Sequence, residues 1–176
     1  MRLRSALIGL AAALTGLAAL CAVSFFQTPR RDPITPATDR IIVEKSAHRM
    51  TLLKEGRVVK TYRIALGRGG LGPKTQSGDS RVPEGIYRIS GRNPDSAYHL
   101  SLRISYPTPL QEQAARARGI DPGGDIMIHG LRNGLGWIGT LHRRVDWTQG
   151  CIAVTNAEIE EIWRTVPDKV VIEIRA

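Results

Sequence analysis

Cysteine is almost missing from this sequence. Of the two present, Cys21 sits in a hydrophobic N-terminal stretch and only Cys151 lies in the remainder. A disulfide framework is therefore excluded for the globular part. The four histidines are scattered, and with one usable thiol they show no zinc-ligand spacing, so no metal and no cofactor is expected. A glycine-rich loop of the P-loop type is also lacking, and no fixed-period repeat is visible. Acidic residues are in deficit: 16 against 25 Lys and Arg, for a net charge of +9. Residues 1–27 hold no acid, so removing them with Arg2 and Arg4 still leaves +7. Such charge either serves solubility or draws the chain to a polyanion. For an exported protein that polyanion is an anionic membrane surface or a cell-wall polymer, not nucleic acid.

Export is suggested by the N-terminus. Met1-Arg2-Leu3-Arg4 is a basic leader, and Ser5 to Phe26 runs for 22 residues without a charge. That length reaches the roughly 20 residues a membrane span needs and exceeds the apolar core of a secretory signal. Ala22-Val23-Ser24 is a weak cleavage site, and Leu20 before Cys21 argues against lipid attachment. Residues 1–27 are therefore read as a signal peptide or a membrane anchor, with the domain outside. Residues 28–39 carry three prolines and read as an extended linker.

From residue 40 onward the pattern is that of a mainly β fold with two short helices. Strands are expected over Arg40–Lys45, Met50–Lys54 and Arg57–Tyr62, the last two joined by a Glu55-Gly56 hairpin turn. Further strands are expected over Ile86–Ser90, Tyr98–Tyr106, Asp125–His129, Cys151–Val154 and Lys169–Arg175. Gly67 to Ser80, with five glycines and a proline, reads as a loop. Thr108, Pro109 and Gln111 announce one helix, and Thr155 with Glu158 announces a second, whose Ile159, Ile162, Trp163 and Val166 share a face.

Two short runs carry chemical potential. Ile126-Met127-Ile128-His129-Gly130 places a histidine at a strand end, and Thr148-Gln149-Gly150-Cys151 places a thiol after a glycine. Histidine is the usual general base because it titrates near neutrality. A thiol needs such a base, or a lowered pKa, to act as a nucleophile. On that reading the alkylation midpoint of Cys151 lies below that of a free cysteine. Backbone N–H groups of Gly150 and Cys151 could face an oxyanion. The competing readings are a small buried Cys151 and a structural His129. His142, between Leu141 and two arginines, reads as a surface residue; His48 and His99 carry little signal.

The spacing His129-Gly130, seventeen residues, then Thr148-Gln149-Gly150-Cys151 and Asn156, resembles the signature of the L,D-transpeptidase catalytic domain, the YkuD family. Gly78-Asp79 followed by Val82-Pro83-Glu84-Gly85-Ile86-Tyr87, and the opening Arg49–Gly56 hairpin, extend the resemblance from about Arg40 to the C-terminus. It implies a β-sandwich-like fold and cysteine acyl transfer on peptidoglycan stem peptides in the periplasm. Cys151 would be the nucleophile and His129 the base, with its ring oriented by a carbonyl near Gly130 or Thr148. Gly150 and Cys151 would form the oxyanion hole; Gly130, Thr148 and Gln149 would border the substrate. Two positions depart from the family: Gln149 stands for a usual His, and Ala153 for an Arg associated with substrate binding. The run D-W-T-x-G-C-I-A-V-T-N is similar to the YafK-like subgroup, some members of which release a peptidoglycan-linked lipoprotein. A non-catalytic wall-binding module and a charge-driven polyanion binder remain the alternatives from other classes. The loops Gly67–Ser80 and Leu131–Val145 are candidates to cover the cleft.

Overall fold

The computed structural model describes residues 38–176. The expected N-terminal signal or anchor and most of the linker lie outside them. Thr38 and Asp39, assigned to the linker from sequence, are already hydrogen-bonded into the domain, through Thr38 N–H to Thr165 and Asp39 N–H to Leu53.

Eight strands form one mixed sheet: β1 (Arg40–Glu44), β2 (Arg49–Lys54), β3 (Arg57–Arg63), β4 (Gly85–Ser96), β5 (His99–Ile104), β6 (Met127–His129), β7 (Ile152–Ala153) and β8 (Val171–Arg175). Their spatial order is β3-β2-β1-β8-β4-β5-β6-β7. The alternation of apolar and polar residues places Ile41, Val43, Ile172 and Ile174 inward on the central parallel pair β1–β8. Each such side chain contributes about 1.5–3 kcal/mol on burial. The chain just after β3 returns to β7: Ala65 and Ala153 exchange two backbone hydrogen bonds of 3.0 and 2.9 Å. The two ends of the strand order are thus brought together, and the sheet folds back on itself around the core. This is the sandwich-like enclosure expected from sequence.

β4 is longer than expected and runs through Gly91 and Pro94. Register shifts at Ile89/Gly91 and Asn93/Ser96 accommodate residues a regular central strand would reject. Both helices start at their expected caps. Helix α1 (Pro109–Ala117) is capped by Thr108 and α2 (Asn156–Thr165) by Thr155, each with the full capping box. Helix α2 lies against β5 and buries Ile159 and Ile162. Arg92 stacks 4.9 Å over the Trp163 ring and donates to the Trp163 and Val166 carbonyls, fixing the C-terminal turn.

A third helical element departs from expectation. Gly136–Arg144 is a 3-10 helix, kinked at Gly139, inside the segment expected to be loop. It carries no side-chain cap, so its start had no sequence signal.

Candidate active site

The site is built on the edge of the sheet where β6 and β7 run parallel. Ile128 pairs with Ile152 and His129 with Ala153, so Cys151 falls level with Met127 on the neighbouring strand. Alternation sends Leu102, Ile128 and Ile152 into the core. Ser101, His129, Ala153 and Cys151 belong to the opposite face, with Ser101 paired to His129 across β5–β6. Strands about 4.8 Å apart and an offset of two residues, about 6.6 Å, bring a cysteine and a histidine side chain within mutual reach.

His129 is buried, and its Nδ1 lies 2.7 Å from the carbonyl oxygen of its neighbour Gly130. A carbonyl only accepts, so Nδ1 carries the proton and Nε2 keeps its lone pair. Two rings fix the imidazole further. Tyr98 lies 4.6 Å from it and Trp147 5.7 Å, with 6.0 Å between the two flanking rings. Gly130 is held by its own N–H to Tyr98 O, and a Cβ there would meet Asn156 Oδ1 at 2.9 Å and Ile159 at 3.0 Å. Asn156, at the start of α2, accepts the Leu131 N–H at 2.8 Å. The helix start thus anchors the turn that presents His129.

The Cys151 thiol is partly exposed and is directed at the Asp125 carbonyl, 3.6 Å away. Its turn is tightly closed. Thr148 Oγ1 donates to Cys151 O at 2.8 Å and accepts the Gly150 N–H at 3.2 Å. Gly150 sits at φ +116°, and a Cβ there would approach Arg81 O to 2.8 Å. Only glycine combines that backbone angle with that approach. Gly67, bridged to Thr148, and Arg81 thus flank the thiol turn from one side. Lys45 Nζ, fully buried, donates to Gly72 O, Val82 O and Glu84 Oε1, which uses all three of its protons.

Electrostatics place both reactive groups in neutral form at rest. Burial pushes the Cys151 thiol up, and the Asp125 charge adds to this; the Met127 N–H and the Lys74 ammonium pull it partly back. Burial pushes His129 down, against the Gly130 carbonyl, which favours its protonated form. The expectation of an alkylation midpoint below that of free cysteine is thus reversed, because desolvation outweighs the nearby donors. Both groups are thus held toward their neutral forms, the thiol and the imidazole.

Several expected site residues stand differently from the sequence reading. The Gly150 N–H is engaged by Thr148, so it is not a free oxyanion donor. Thr148 and Gly130 have these polar groups committed within the protein, and only Gln149 is exposed. Ala153 is fully buried between β6 and Ala65 and presents no charge. His142 is 7% exposed, contrary to the surface reading: the 3-10 helix folds it inward, where its Nδ1 accepts from Trp147 Nε1 at 3.4 Å. Tyr98 and Ser101 had no signal in sequence, and Trp147 stood in the run before Cys151 with no role assigned, since an aromatic or a serine shows no role until the fold brings it to a histidine.

Beside this ring cluster is a cavity of about 370 Å³ walled by Tyr98, Leu131, Leu135, Ile138, Val145 and Trp147. Leu131–Val145 thus walls a cavity beside the rings that meet His129. Among the described residues no cluster of His, Cys, Asp or Glu could hold a metal, and no helix is long and apolar enough to cross a membrane.

Residues 38–174 match the YkuD family, the L,D-transpeptidase catalytic domain. The chain belongs to this family. It is 33% identical over 112 residues to the Escherichia coli (strain K12) protein described as "Putative L,D-transpeptidase YafK", covering 62% of this chain and 38% of that protein. The chain therefore spans well under half of that relative. Among solved structures, the helical cell shape determining protein Pgp2 of Campylobacter jejuni superposes with a TM-score of 0.59 at 24% identity, over 81% of this chain and half of that one. The L,D-transpeptidase of Xylanimonas cellulosilytica gives 0.53 at 17%, over 92% and 69%. These likenesses establish that the eight-stranded sheet is the fold of L,D-transpeptidases.

Proposed function

We propose that this YkuD-family chain is a peptidoglycan L,D-transpeptidase acting outside the cytoplasm, with Cys151 as nucleophile and His129 as base. The observation that supports the proposal is the register of the parallel β6–β7 pair, which puts Cys151 and His129 on one face of neighbouring strands, with the His129 Nδ1–H committed to Gly130 O. His129 Nε2 takes the thiol proton as sulfur attacks the carbonyl of the third stem residue at its L-centre. The Cys151 N–H stabilises the oxyanion, Gly150 N–H being engaged. The imidazolium then protonates the leaving nitrogen of the terminal D-amino acid, and a thioester remains. An amine entering along the same path loses its proton to His129 and closes a new amide, which regenerates the thiol. An amine of a second stem gives a cross-link, and a lipoprotein lysine gives attachment.

Water in place of the amine gives hydrolysis, as a carboxypeptidase or as an amidase that frees a linked lipoprotein. The resemblance of the run from Asp146 to Asn156 to the YafK-like subgroup supports this as the second reading. Residues 5–26 would hold the domain at the inner membrane if they are retained.

Mass spectrometry of products tests both readings. The protein and its Cys151→Ala variant are incubated with tetrapeptide muropeptides and with lipoprotein-linked tripeptide muropeptides. Cross-linked dimers that depend on Cys151 are expected. Tripeptide or freed lipoprotein peptide without dimers would replace transpeptidation by hydrolysis. No product together with an inert thiol would overturn catalysis.

A further inference from the structure

The 3-10 helix carries a second histidine that neither the family signature nor the proposed mechanism uses. His142 sits on the 3-10 helix Gly136–Arg144 and is 7% exposed. Its ring stands edge-on to Trp147, with centroids 6.4 Å apart and planes at 83°. The Trp147 Nε1–H donates to His142 Nδ1. Trp147 is half-buried, and its indole N–H, a donor only, meets an acceptor in His142 Nδ1. Nδ1 must therefore be bare and the His142 proton must sit on Nε2, which has no partner among the described residues. Trp147 in turn stands edge-on to His129, at 5.7 Å and 67°. It also walls the 370 Å³ cavity.

We propose that His142 is a positioning residue: it holds the Trp147 indole in place and, through it, the imidazole of His129. The inference rests on the catalytic reading of His129 given above. Three features support it. The 3-10 helix is tied to α2 through the Arg143–Glu158 ion pair, so His142 is presented from a fixed support. His129 is buried among rings, and besides the Gly130 carbonyl only Tyr98 and Trp147 restrain its plane. Neutral His142 is required, because a protonated ring would oppose a second donor to the indole. Burial and the Arg143 charge hold it in that state, with its pKa pushed down to about 4 against the Glu158 carboxylate; His129 faces it as well.

The test uses His142→Phe, which keeps the ring and removes the acceptor. His142→Asn puts an amide oxygen close to the place of Nδ1. Trp147→Phe keeps a ring and deletes the donor. Two readouts are followed in the full chain. One is the downfield proton resonance of the His129 Nδ1–H, which reports its bond to Gly130 without any reaction. The other is the rate of Cys151 acylation by imipenem, followed by intact mass.

Phe at 142 and Phe at 147 are expected to broaden the His129 resonance. Each should slow acylation by about tenfold to a hundredfold, the scale of a small misplacement of a catalytic group. The effect should fall on the maximal rate and not on half-saturation. The double variant should be no slower than either single one, since both break one contact. His142→Asn should restore both readouts. An unchanged resonance and rate in His142→Phe would overturn the proposal, and so would equal slowing by Phe and Asn. If the parent is not acylated while the resonance responds as expected, positioning stands and the catalytic reading falls.

Discussion

At the scale of single residues, the neutral state of the Cys151–His129 pair governs behaviour. Both groups are removed from water, and that cost lands on their charged forms: the thiolate and the imidazolium. A thiol of this kind should titrate above the about 8.5 of an exposed cysteine. Iodoacetamide labelling followed across pH is expected to give a midpoint above that value, while an activated β-lactam acylates near neutrality because His129 accepts the proton in the transition state. A labelling midpoint below pH 7 would mean a standing thiolate–imidazolium pair and would contradict the desolvation argument. Residue identity here was readable in the sequence: the histidine, the glycine and the thiol were singled out by their chemistry and by the resemblance of their spacing to the family signature. Their protonation was not, because burial depends on what packs over them.

Turns and short elements decide whether these residues meet. The Gly150 backbone at φ +116° is wedged against Arg81 O, and the Lys45 ammonium ties down the loop that supplies Arg81. Gly150→Ala forces a strained left-side backbone into a 2.8 Å contact, with an expected loss of about 1–3 kcal/mol. A thermal melt should show the fall in stability, and slower labelling of Cys151 by imipenem should accompany it. An unaltered melt would show that the loop yields freely. The capped helices α1 and α2 were legible because Thr108 with Gln111 and Thr155 with Glu158 announce a start chemically. The 3-10 helix was not, since it begins at Leu135 with no cap and bends at Gly139. His142 was misread with it: flanking arginines suggest a surface, yet a 3-10 turn rotates neighbouring side chains to different sides.

For the molecule as a whole, acid stability follows from the same burial. His142 is held to about 4 in the fold against about 6.5 in an unfolded chain, and His129 is shifted in the same direction. As pH falls below about 6.5, the unfolded chain binds protons that the native fold refuses, so stability declines toward about pH 4. Below that, Asp79 adds to the loss. Desolvation pushes its carboxyl up, but Lys74 and the N–H groups of Thr75, Arg81 and Gln76 together hold it well under the usual range. Its contribution is present above about 3.8 and vanishes as pH drops through the folded value. Urea unfolding at pH 7, 5.5 and 4.5 should show stability decreasing at each step, with a shallower decline in His142→Asn. A flat profile would place these groups in contact with water.

By itself the sequence determined the eight strands in outline, the two capped helices, the hairpin and the two motifs that hold His129 and Cys151. These are written in local periodicity and turn chemistry, which act over a few residues. Only the tertiary structure decided the rest. The β6–β7 register sets histidine beside thiol, and the return of Ala65 to Ala153 closes the sheet. The turn around Thr148 engages one expected oxyanion donor, Tyr98 and Trp147 meet the His129 ring, and His142 meets Trp147. Each of these depends on contacts between segments distant in the chain, and a pattern of neighbours carries no record of which distant segment will arrive.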